Sequence, residues 1–435
     1  MPERYKLGIS RNRLFEFDNC VSFFGELKEN LDLPQLERAL KMLCLKEPVI
    51  TSAVEIDSGG EAYMLPGKSE PRLEIAEGDL KSFLDEKKNQ GIDFSEKLFS
   101  FAILNEKILC IFAHTVAADV RSLMYLAKEL VSFYSNKTLS VEPCEIKALS
   151  ETSQMPSNVF SVVTDRLASG LEVGWQKKTA VFTCEDYKKA REKYQKSKST
   201  VGELAIELDK EMIEGLRNTA LEEEVDASSL VAYAFYEALS ENLSGKRKYR
   251  KLNVQGNERV FFEDYENMSV GAYNGYFAVE KKKNKKMPDT LMGSAMAFHD
   301  EIYKRATSSF STFYNEFLFM RLPPSFADSQ YMFCAGEFKH KYSKKLADTY
   351  GCANEVFGEF CSYNLAQSYW SGLEAFENIS ASEPLKMRAS SLITFVRREG
   401  SGRVTFEYKK DKIPDLVAVR IVENATEILA KLTKI

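Results

Sequence analysis

The chain contains three histidines, and the setting of one of them, His114, suits proton transfer. His114 ends a short apolar run, Ile108 to Ala113, and Asp119 and Ser122 follow it within eight residues. An imidazole near its reference pKa of about 6.5 can accept a proton at neutral pH, so His114 is the candidate general base. The alternative, and the commoner role, is a buried histidine that is hydrogen-bonded at the end of a strand. The residues alone leave both interpretations open.

The other two histidines are weaker candidates for a catalytic role. His299 lies in Ala297-Phe298-His299-Asp300 on a predicted helix, and His340 lies between two lysines, a charged context that indicates solvent. We interpret both as incidental.

Asp119 immediately precedes a helical repeat of apolar residues. A carboxylate in this position caps free backbone N–H groups and meets the positive end of the helix dipole. We therefore interpret Asp119 as structural, with Ser122 supporting the same cap.

The elements that must position His114 follow from the apolar spacing. Phe99 to Leu104 and Ile108 to Ala113 flank Asn105-Glu106-Lys107 and predict a pair of buried strands. Beyond them, apolar residues at helical spacing predict a helix packed on that sheet: Leu123, Leu126, Ala127, Leu130, Val131 and Tyr134. His114 therefore stands where a strand gives way to a helix.

Earlier in the chain, Leu33 to Leu43 predicts an amphipathic helix that Asp32 caps. Val54 to Ile56 and Ala62 to Leu65 flank a Gly-rich turn and predict a hairpin. The first part of the chain is thus a mixed α/β region.

The rest of the chain repeats this mixture, and the 435 residues suffice for two packed cores. Between Cys144 and Lys178 the apolar period breaks down, which indicates a junction. We predict an α/β (α+β) protein with domains at residues 1–165 and 166–435. The elements predicted after the junction are a strand at Leu204 to Leu208, helices at Met212 to Glu223 and Ser228 to Glu241, an alternating run at Val270 to Val279, a hairpin of Leu392 to Val396 with Val404 to Tyr408, and a closing helix at Leu416 to Leu432.

Composition excludes several functional classes. The net charge of −5 gives no field that would concentrate a polyanion, so nucleic acid is not an expected partner. No apolar run reaches the roughly 18 residues of a membrane span, and the first fifteen residues lack the apolar stretch of a signal peptide. These features predict a soluble, cytoplasmic protein without a membrane span.

The eight cysteines are scattered and include no C-x-x-C pair. This spacing predicts neither a zinc site nor a disulfide framework, and no other metal site is indicated. We expect buried, reduced thiols at Cys20, Cys44, Cys110, Cys144, Cys184, Cys334, Cys352 and Cys361.

The stretch His114-Thr115-Val116-Ala117-Ala118-Asp119-Val120-Arg121-Ser122 resembles the signature of condensation domains in the chloramphenicol acetyltransferase superfamily. That signature reads two histidines, three residues, Asp, Gly, any residue and Ser. Asp119 and Ser122 match it, and Glu129-Leu130 lie where the family's helix typically ends.

In this register His114 takes the place of the first histidine, Thr115 replaces the second, and Val120 replaces Gly. A shift by one residue would bring His114 into the second position. Ala118 would then stand where Asp belongs, and the downstream matches would be lost, so we keep the first register.

Other family landmarks are present in altered form. Lys46 to Ser52 corresponds to a stretch in which Thr51 replaces the Arg thought to pair with the motif Asp. Ser269 to Tyr273 is similar to the family's Val-Gly-x-Phe stretch, and Leu385 to Leu432 resembles its closing strands and helix.

The resemblance implies two chloramphenicol acetyltransferase-like lobes, each a mixed β-sheet with helices, forming a V around a central channel. It implies a condensation-type acyltransferase, of the kind found in non-ribosomal peptide synthesis and secondary metabolism. The acyl thioester, on coenzyme A or on the phosphopantetheine of an acyl carrier protein, would pass its acyl group to a small-molecule amine or alcohol, with no bound cofactor. The implied catalytic positions are His114, Thr115 and Asp119, and the implied channel residues are Ser122, Gly271 and Tyr273.

Thr115 weakens the catalytic expectation because a threonine hydroxyl cannot act as a general base. General-base help, typically worth about 10²–10⁴-fold, is then absent or comes from another group. Positioning of two reactants can still supply up to roughly 7–11 kcal/mol. Two hypotheses follow: an impaired acyltransferase, or a catalytically silent member of the fold that recruits a partner or holds a ligand.

Two further features allow weaker interpretations. His114, Asp119 and Ser122 have the spacing of heterocyclisation domains, but those begin with Asp, so cyclisation is only an analogy. Basic runs at Lys246 to Lys251 and Lys281 to Lys286 could contact a coenzyme A phosphate or an acidic carrier protein. A solvated loop is the commoner explanation for such runs.

Overall fold

The computed structural model describes residues 4–136, 141–146, 155–156, 161–176, 179–243, 250–262, 270–281, 289–366 and 372–434. In these ranges the strands are β1 (Tyr5–Lys6), β2 (Cys20–Leu27), β3 (Ala53–Ile56), β4 (Ala62–Leu65), β5 (Leu73–Ala76), β6 (Phe99–Leu104), β7 (Ile108–His114), β8 (Val201–Leu208), β9 (Leu252–Asn257), β10 (Asn274–Val279), β11 (Gly358–Asn364), β12 (Phe376–Ser382), β13 (Ser391–Arg398) and β14 (Ser401–Lys409). The helices are α1 (Leu33–Lys46), α2 (Leu80–Gln90), α3 (Val120–Ser135), α4 (Val162–Trp175), α5 (Cys184–Ser197), α6 (Lys210–Glu222), α7 (Ala227–Asn242), α8 (Leu291–Ala306), α9 (Ser309–Thr312), α10 (Tyr314–Met320), α11 (Pro324–Cys334), α12 (Lys341–Thr349) and α13 (Asp415–Thr433). Short 3-10 turns are formed by Ile9–Arg13, Pro48–Thr51, Glu258–Phe261 and Leu373–Ala375.

The first lobe is built on a five-stranded sheet with the order β12-β2-β7-β6-β5. Neighbouring strands are antiparallel except β5 and β6, which run parallel. The edge strand β12 comes from the far end of the chain and pairs with β2. Helices α1 and α3 pack on each other, and α3 packs on β2 and β7, which encloses the first core.

Local sequence explains the helices of this lobe. Asp32 caps α1 by accepting a hydrogen bond from the backbone N–H of Gln35 at 2.8 Å. Leu36, Leu40 and Leu43 fall on one face of α1 and are buried. The predicted helix, the β3–β4 hairpin and the β6–β7 pair are confirmed.

The second lobe has a six-stranded sheet with the order β10-β9-β11-β13-β14-β8. It is mixed, because β11 runs parallel to both β9 and β13 while the other pairs are antiparallel. Helices α7 and α13 pack against each other over this sheet and form a second hydrophobic core, distinct from the first. The predicted hairpin and closing helix are confirmed as β13–β14 and α13.

Two stretches differ from the sequence expectation. The alternating run predicted at Val270 to Val279 becomes a strand only from Asn274, because the backbone of Gly271 bonds to the first lobe instead. The stretch predicted as a junction contains α4, whose Ala168, Leu171 and Trp175 are buried in the first core. The division at residues 165 and 166 stays a prediction.

Among the described residues no helix is long and apolar enough to cross a membrane. Within the same ranges no group of three or more His, Cys, Asp or Glu side chains could hold a metal ion.

Candidate functional site

The candidate site is the corner between β7 and α3, residues 114–122, which we call the motif corner. His114 is the last residue of β7 and pairs with Cys20 of β2. Asp119 is the N-cap of α3 and accepts a hydrogen bond from the backbone N–H of Ser122 at 2.9 Å. The sequence folds this way because a buried strand ends just before a capped amphipathic helix.

His114 is fully enclosed in the first lobe. Its Nδ1 accepts a hydrogen bond from the backbone N–H of Val116 at 3.1 Å, and its ring meets the ring of Phe94 edge-on at 5.8 Å. Its Nε2 is buried without a partner. Burial, helped by the positive charge of Arg191, lowers the pKa of His114 to about 3, so the imidazole is neutral at physiological pH.

Thr115, at the position of the family's second histidine, is also buried. Its backbone N–H donates to the carbonyl of Asn19 at 2.9 Å, while its Oγ1 is buried without a partner. The side chain therefore faces protein interior.

Asp119 forms a buried, two-pronged ion pair with Arg259 of the second lobe. The guanidinium Nη1 and Nη2 donate to the two carboxylate oxygens at 2.6 Å and 3.0 Å. Burial alone would raise the pKa of Asp119, but Arg259 and the hydrogen bonds from Ser122 hold that pKa below its usual value. Asp119 is thus a carboxylate that joins the two lobes.

Arg259 is the residue that sequence reasoning missed. The family's arginine position holds Thr51, whose Oγ1 donates to the carbonyl of Pro48 at 2.9 Å. The partner of Asp119 instead follows β9, 140 residues further along the chain. No periodicity or motif could have revealed a contact between positions so far apart.

The three predicted channel residues lie together at this contact between the lobes: Ser122, Gly271 and Tyr273. Ser122 Oγ contacts both polar atoms of Gly271, at 2.8 Å from its carbonyl and 3.1 Å from its N–H. The N–H of Tyr273 donates to Asp119 at 3.2 Å, and its ring lies 4.9 Å from the Arg259 guanidinium carbon. A Cβ at Gly271 would lie 2.3 Å from the Tyr273 ring, so glycine permits this close approach.

A second buried carboxyl group, Glu383, adjoins the start of α3. Its Oε1 accepts hydrogen bonds from the N–H of Val120 at 3.2 Å, from Gln255 at 3.2 Å and from Asn274 at 3.0 Å. Burial, together with the negative charge of Asp119, raises the pKa of Glu383 to about 7. Glu383 therefore changes its protonation state near neutral pH.

Asn274 extends this network to Arg13 of the first lobe, whose guanidinium donates to the side-chain oxygen of Asn274. Arg13 also contacts Glu316 at 3.4 Å. Glu258 is fully buried nearby with both carboxylate oxygens unpartnered, and burial beside Glu316 raises its pKa well above the usual value. Burial at this position therefore favours the protonated form of Glu258.

Two cavities are lined by residues of both lobes. The Arg13 cavity, of about 70 Å³, is lined by residues that include Arg13, Glu16, Tyr276, Glu316, Cys352 and Lys386. The Lys88 cavity, of about 300 Å³, is lined by residues that include Ser22, Lys88, Glu203, Ser382, Arg403 and Glu407. The first has room for roughly five waters, and the second approaches the size of small-molecule sites.

One short segment of chain contributes to both cavities. Ser382 lines the Lys88 cavity and Lys386 lines the Arg13 cavity, with Glu383 between them in sequence. None of the six predicted site residues lines either cavity. The catalytic and channel roles assigned to them by resemblance remain predictions.

The remaining sequence candidates lie elsewhere. His299 is buried in the second lobe, with Nδ1 3.1 Å from Ser229 Oγ. His340 precedes α12, and its ring centroid lies 5.3 Å from that of Trp175. Of the two basic runs, most residues fall outside the described ranges; Lys281 donates to Glu237 at 2.6 Å.

No protein-family model matches the chain, and no curated protein matches it. Solved structures do match it over its whole length. The condensation domain of the Monacolin K polyketide synthase MokA has a TM-score of 0.63 and 9% identity, covering 99% of this chain and 98% of that one. The epimerization domain from the third module of tyrocidine synthetase B has a TM-score of 0.60 and 12% identity, covering 100% and 97%.

The first condensation domain of the calcium-dependent antibiotic synthetase, in complex with a substrate analogue, gives a TM-score of 0.64 at 13% identity, covering 99% of this chain and 96% of that one. At such identities the likeness establishes the fold. The mixed α/β architecture of two lobes forming a V, which the sequence resemblance implied, is thereby confirmed.

Proposed function

We propose, on the premise that this chain has the fold of condensation domains, that it binds an acyl thioester at the junction of its lobes and passes the acyl group to a small amine or alcohol. The thioester is carried by coenzyme A or by the phosphopantetheine of an acyl carrier protein. The acceptor's nitrogen or oxygen attacks the carbonyl carbon, the C–S bond breaks, and the acceptor's proton ends on the released thiol.

The observation that carries this proposal is the pair of cavities at the lobe junction, to which one segment contributes Ser382 and Lys386. Direct transfer requires both reactants to be bound at once, which two separate cavities allow. The Lys88 cavity, at about 300 Å³, has the volume for the acyl end of the thioester. The smaller Arg13 cavity then holds the acceptor.

Catalysis in this proposal relies on positioning rather than on an imidazole. His114 has a pKa of about 3 and is enclosed, and Thr115 has no basic group, so neither accepts a proton efficiently at pH 7. All three histidines are described, and none lines the Arg13 or the Lys88 cavity. The expected rate is therefore about 10²–10⁴-fold below that of a base-assisted site.

Calorimetric titration with acyl-coenzyme A and with a purified acyl carrier protein tests binding. Ser380 lies on β12 and lines the Lys88 cavity, so Ser380→Trp fills the cavity and is expected to weaken binding at least tenfold. Leu416→Trp, at a position 76% exposed in α13, is the control and keeps wild-type affinity. If neither thioester shows saturable binding, the proposal is wrong.

A catalytically silent member of the fold is the second candidate, and the enclosure of His114 and Thr115 favours it. Mass spectrometry of reactions that contain bound thioester and a panel of amines and alcohols separates the two. Acylated product above the uncatalysed rate supports transfer. Saturable binding without product assigns the chain to ligand holding or partner recruitment.

A further inference from the structure

Two cysteine thiols lie in contact beside the Arg13 cavity. Cys334 is the last residue of α11, and Cys352 follows α12. Their Sγ atoms are 3.3 Å apart, although 18 positions separate the residues in the chain. Both are free thiols in this structure. Closing this contact to the roughly 2.05 Å of a disulfide requires only a small movement of the two side chains.

The surroundings hold both thiols in this arrangement. Helices α11 and α12 pack against each other, and the backbone N–H of Cys352 donates to Gln330 Oε1 of α11 at 2.8 Å. The Gln330 side chain also fills the space beside Gly351, where an added Cβ would lie 1.8 Å from its Oε1. The turn that carries Cys352 is therefore fixed on the helix that carries Cys334.

The two thiols differ in reactivity. Cys334 is partly exposed, and its contact with Cys352 lowers its pKa, which favours the nucleophilic thiolate. Cys352 is buried, and burial raises its pKa well above the usual value. A partly exposed attacking thiol with a second thiol in contact is the arrangement needed for disulfide exchange.

We propose that Cys334 and Cys352 form a reversible disulfide by exchange with a low-molecular-weight disulfide such as oxidised glutathione. The Cys334 thiolate attacks one sulfur of that disulfide, giving a mixed disulfide and releasing one thiol. Cys352 then loses its proton and attacks Cys334 Sγ, and the second thiol leaves. The two cysteines lose two electrons and two protons, and the small disulfide gains them as two thiols.

The bond would tie α11 to a wall of the Arg13 cavity, because Gln330, Gly351 and Cys352 all line it. An effect of oxidation on ligand binding rests on the proposed function. Formation of the bond does not, so its test is independent of any ligand.

Thiol counting tests the proposal. Reduced protein is incubated with oxidised glutathione, acid-quenched, unfolded and alkylated. The eight cysteines should give eight adducts before oxidation and two fewer after it, with a peptide that links Cys334 to Cys352. Eight adducts at every glutathione ratio, or a link between other cysteines, would overturn the proposal.

Single serine variants test the order of attack. Cys352→Ser should accumulate a glutathione adduct on Cys334, whereas Cys334→Ser should remain unmodified at Cys352. Cys44→Ser, at a partly buried thiol on α1, is the matched control and should form the disulfide as the wild type does. An adduct on Cys352 in Cys334→Ser at the same rate would contradict the proposed roles. Circular dichroism checks that each variant is folded.

Discussion

Asp119 and Ser122 of the motif corner and the Arg13 cavity differ in how their polar groups are satisfied, although His114 Nε2 and Thr115 Oγ1 of the same corner are unpartnered. In the corner, Asp119 and Ser122 are saturated by partners from the second lobe. In the Arg13 cavity, Glu16 Oε2 and Glu316 Oε2 have no partner. The difference indicates that Asp119 and Ser122 form a fixed joint between the lobes, while carboxylate oxygens able to meet a ligand line the Arg13 cavity.

Removing the ion pair between Asp119 and Arg259 should have the largest effect on stability. Arg259→Met leaves Asp119 as an uncompensated buried charge, which is expected to lower the free energy of unfolding by about 3–5 kcal/mol. Thr51→Ala, at the position where the family carries its arginine, should lower it by only about 1 kcal/mol. Urea unfolding measures both. A loss of under about 1 kcal/mol for Arg259→Met would mean that the joint contributes no more than an ordinary hydrogen bond.

Glu383, buried beside the start of α3, should make the free energy of unfolding depend on pH in one direction. Its folded-state pKa of about 7 lies above the usual 4.5, so the folded protein binds more protons in this window and stability falls as pH rises through it. Between pH 4.5 and pH 7 the free energy of unfolding of the wild type should fall by about 3 kcal/mol because of this group. Glu383→Gln should lack that contribution, and Glu377→Gln, on an exposed part of β12, should keep it. Parallel unfolding free energies of wild type and Glu383→Gln across this window would refute the assignment.

His114, at the start of the motif corner, should make the free energy of unfolding depend on pH in the opposite direction. The pKa of His114 falls to about 3 on folding. Its contribution to the free energy of unfolding is therefore complete above pH 6.5 and is lost as the pH falls toward 3. Between pH 6.5 and pH 5 the wild type should lose about 2 kcal/mol that His114→Asn does not lose. His340→Asn, with its ring beside Trp175, serves as the control. A different outcome would contradict the enclosure of His114. If the protein transfers acyl groups and the rate titrates with a pKa near 6.5, and only His114→Asn removes that titration, then His114 acts as a base.

Short-range features of this fold could be predicted from sequence. The strand ending at His114, the cap at Asp119 and the helix beyond it all depend on residues within one short stretch. The resemblance carried by that stretch was sufficient to predict the two-lobed architecture.

Long-range pairings could not be predicted. Arg259 pairs with Asp119 across 140 positions, and Asn274 joins Glu383 across 109. Such contacts depend on how two folded lobes meet, and they leave no periodic trace in the chain. For the same reason the cavities and the adjacent thiols of Cys334 and Cys352 emerged only from the structure.

The strand order of the first sheet has a consequence for how the protein is made. Strand β12 bonds to β2, and the side chain of Asn378 reaches Glu26 across 352 positions. Ribosomes release the chain from its amino end, so β2 emerges long before its partner exists. During that interval β2 presents an open edge on which another nascent chain could add a strand. We therefore expect fragments that stop before Phe376 to aggregate, and cells to shield this edge until β12 has been synthesised.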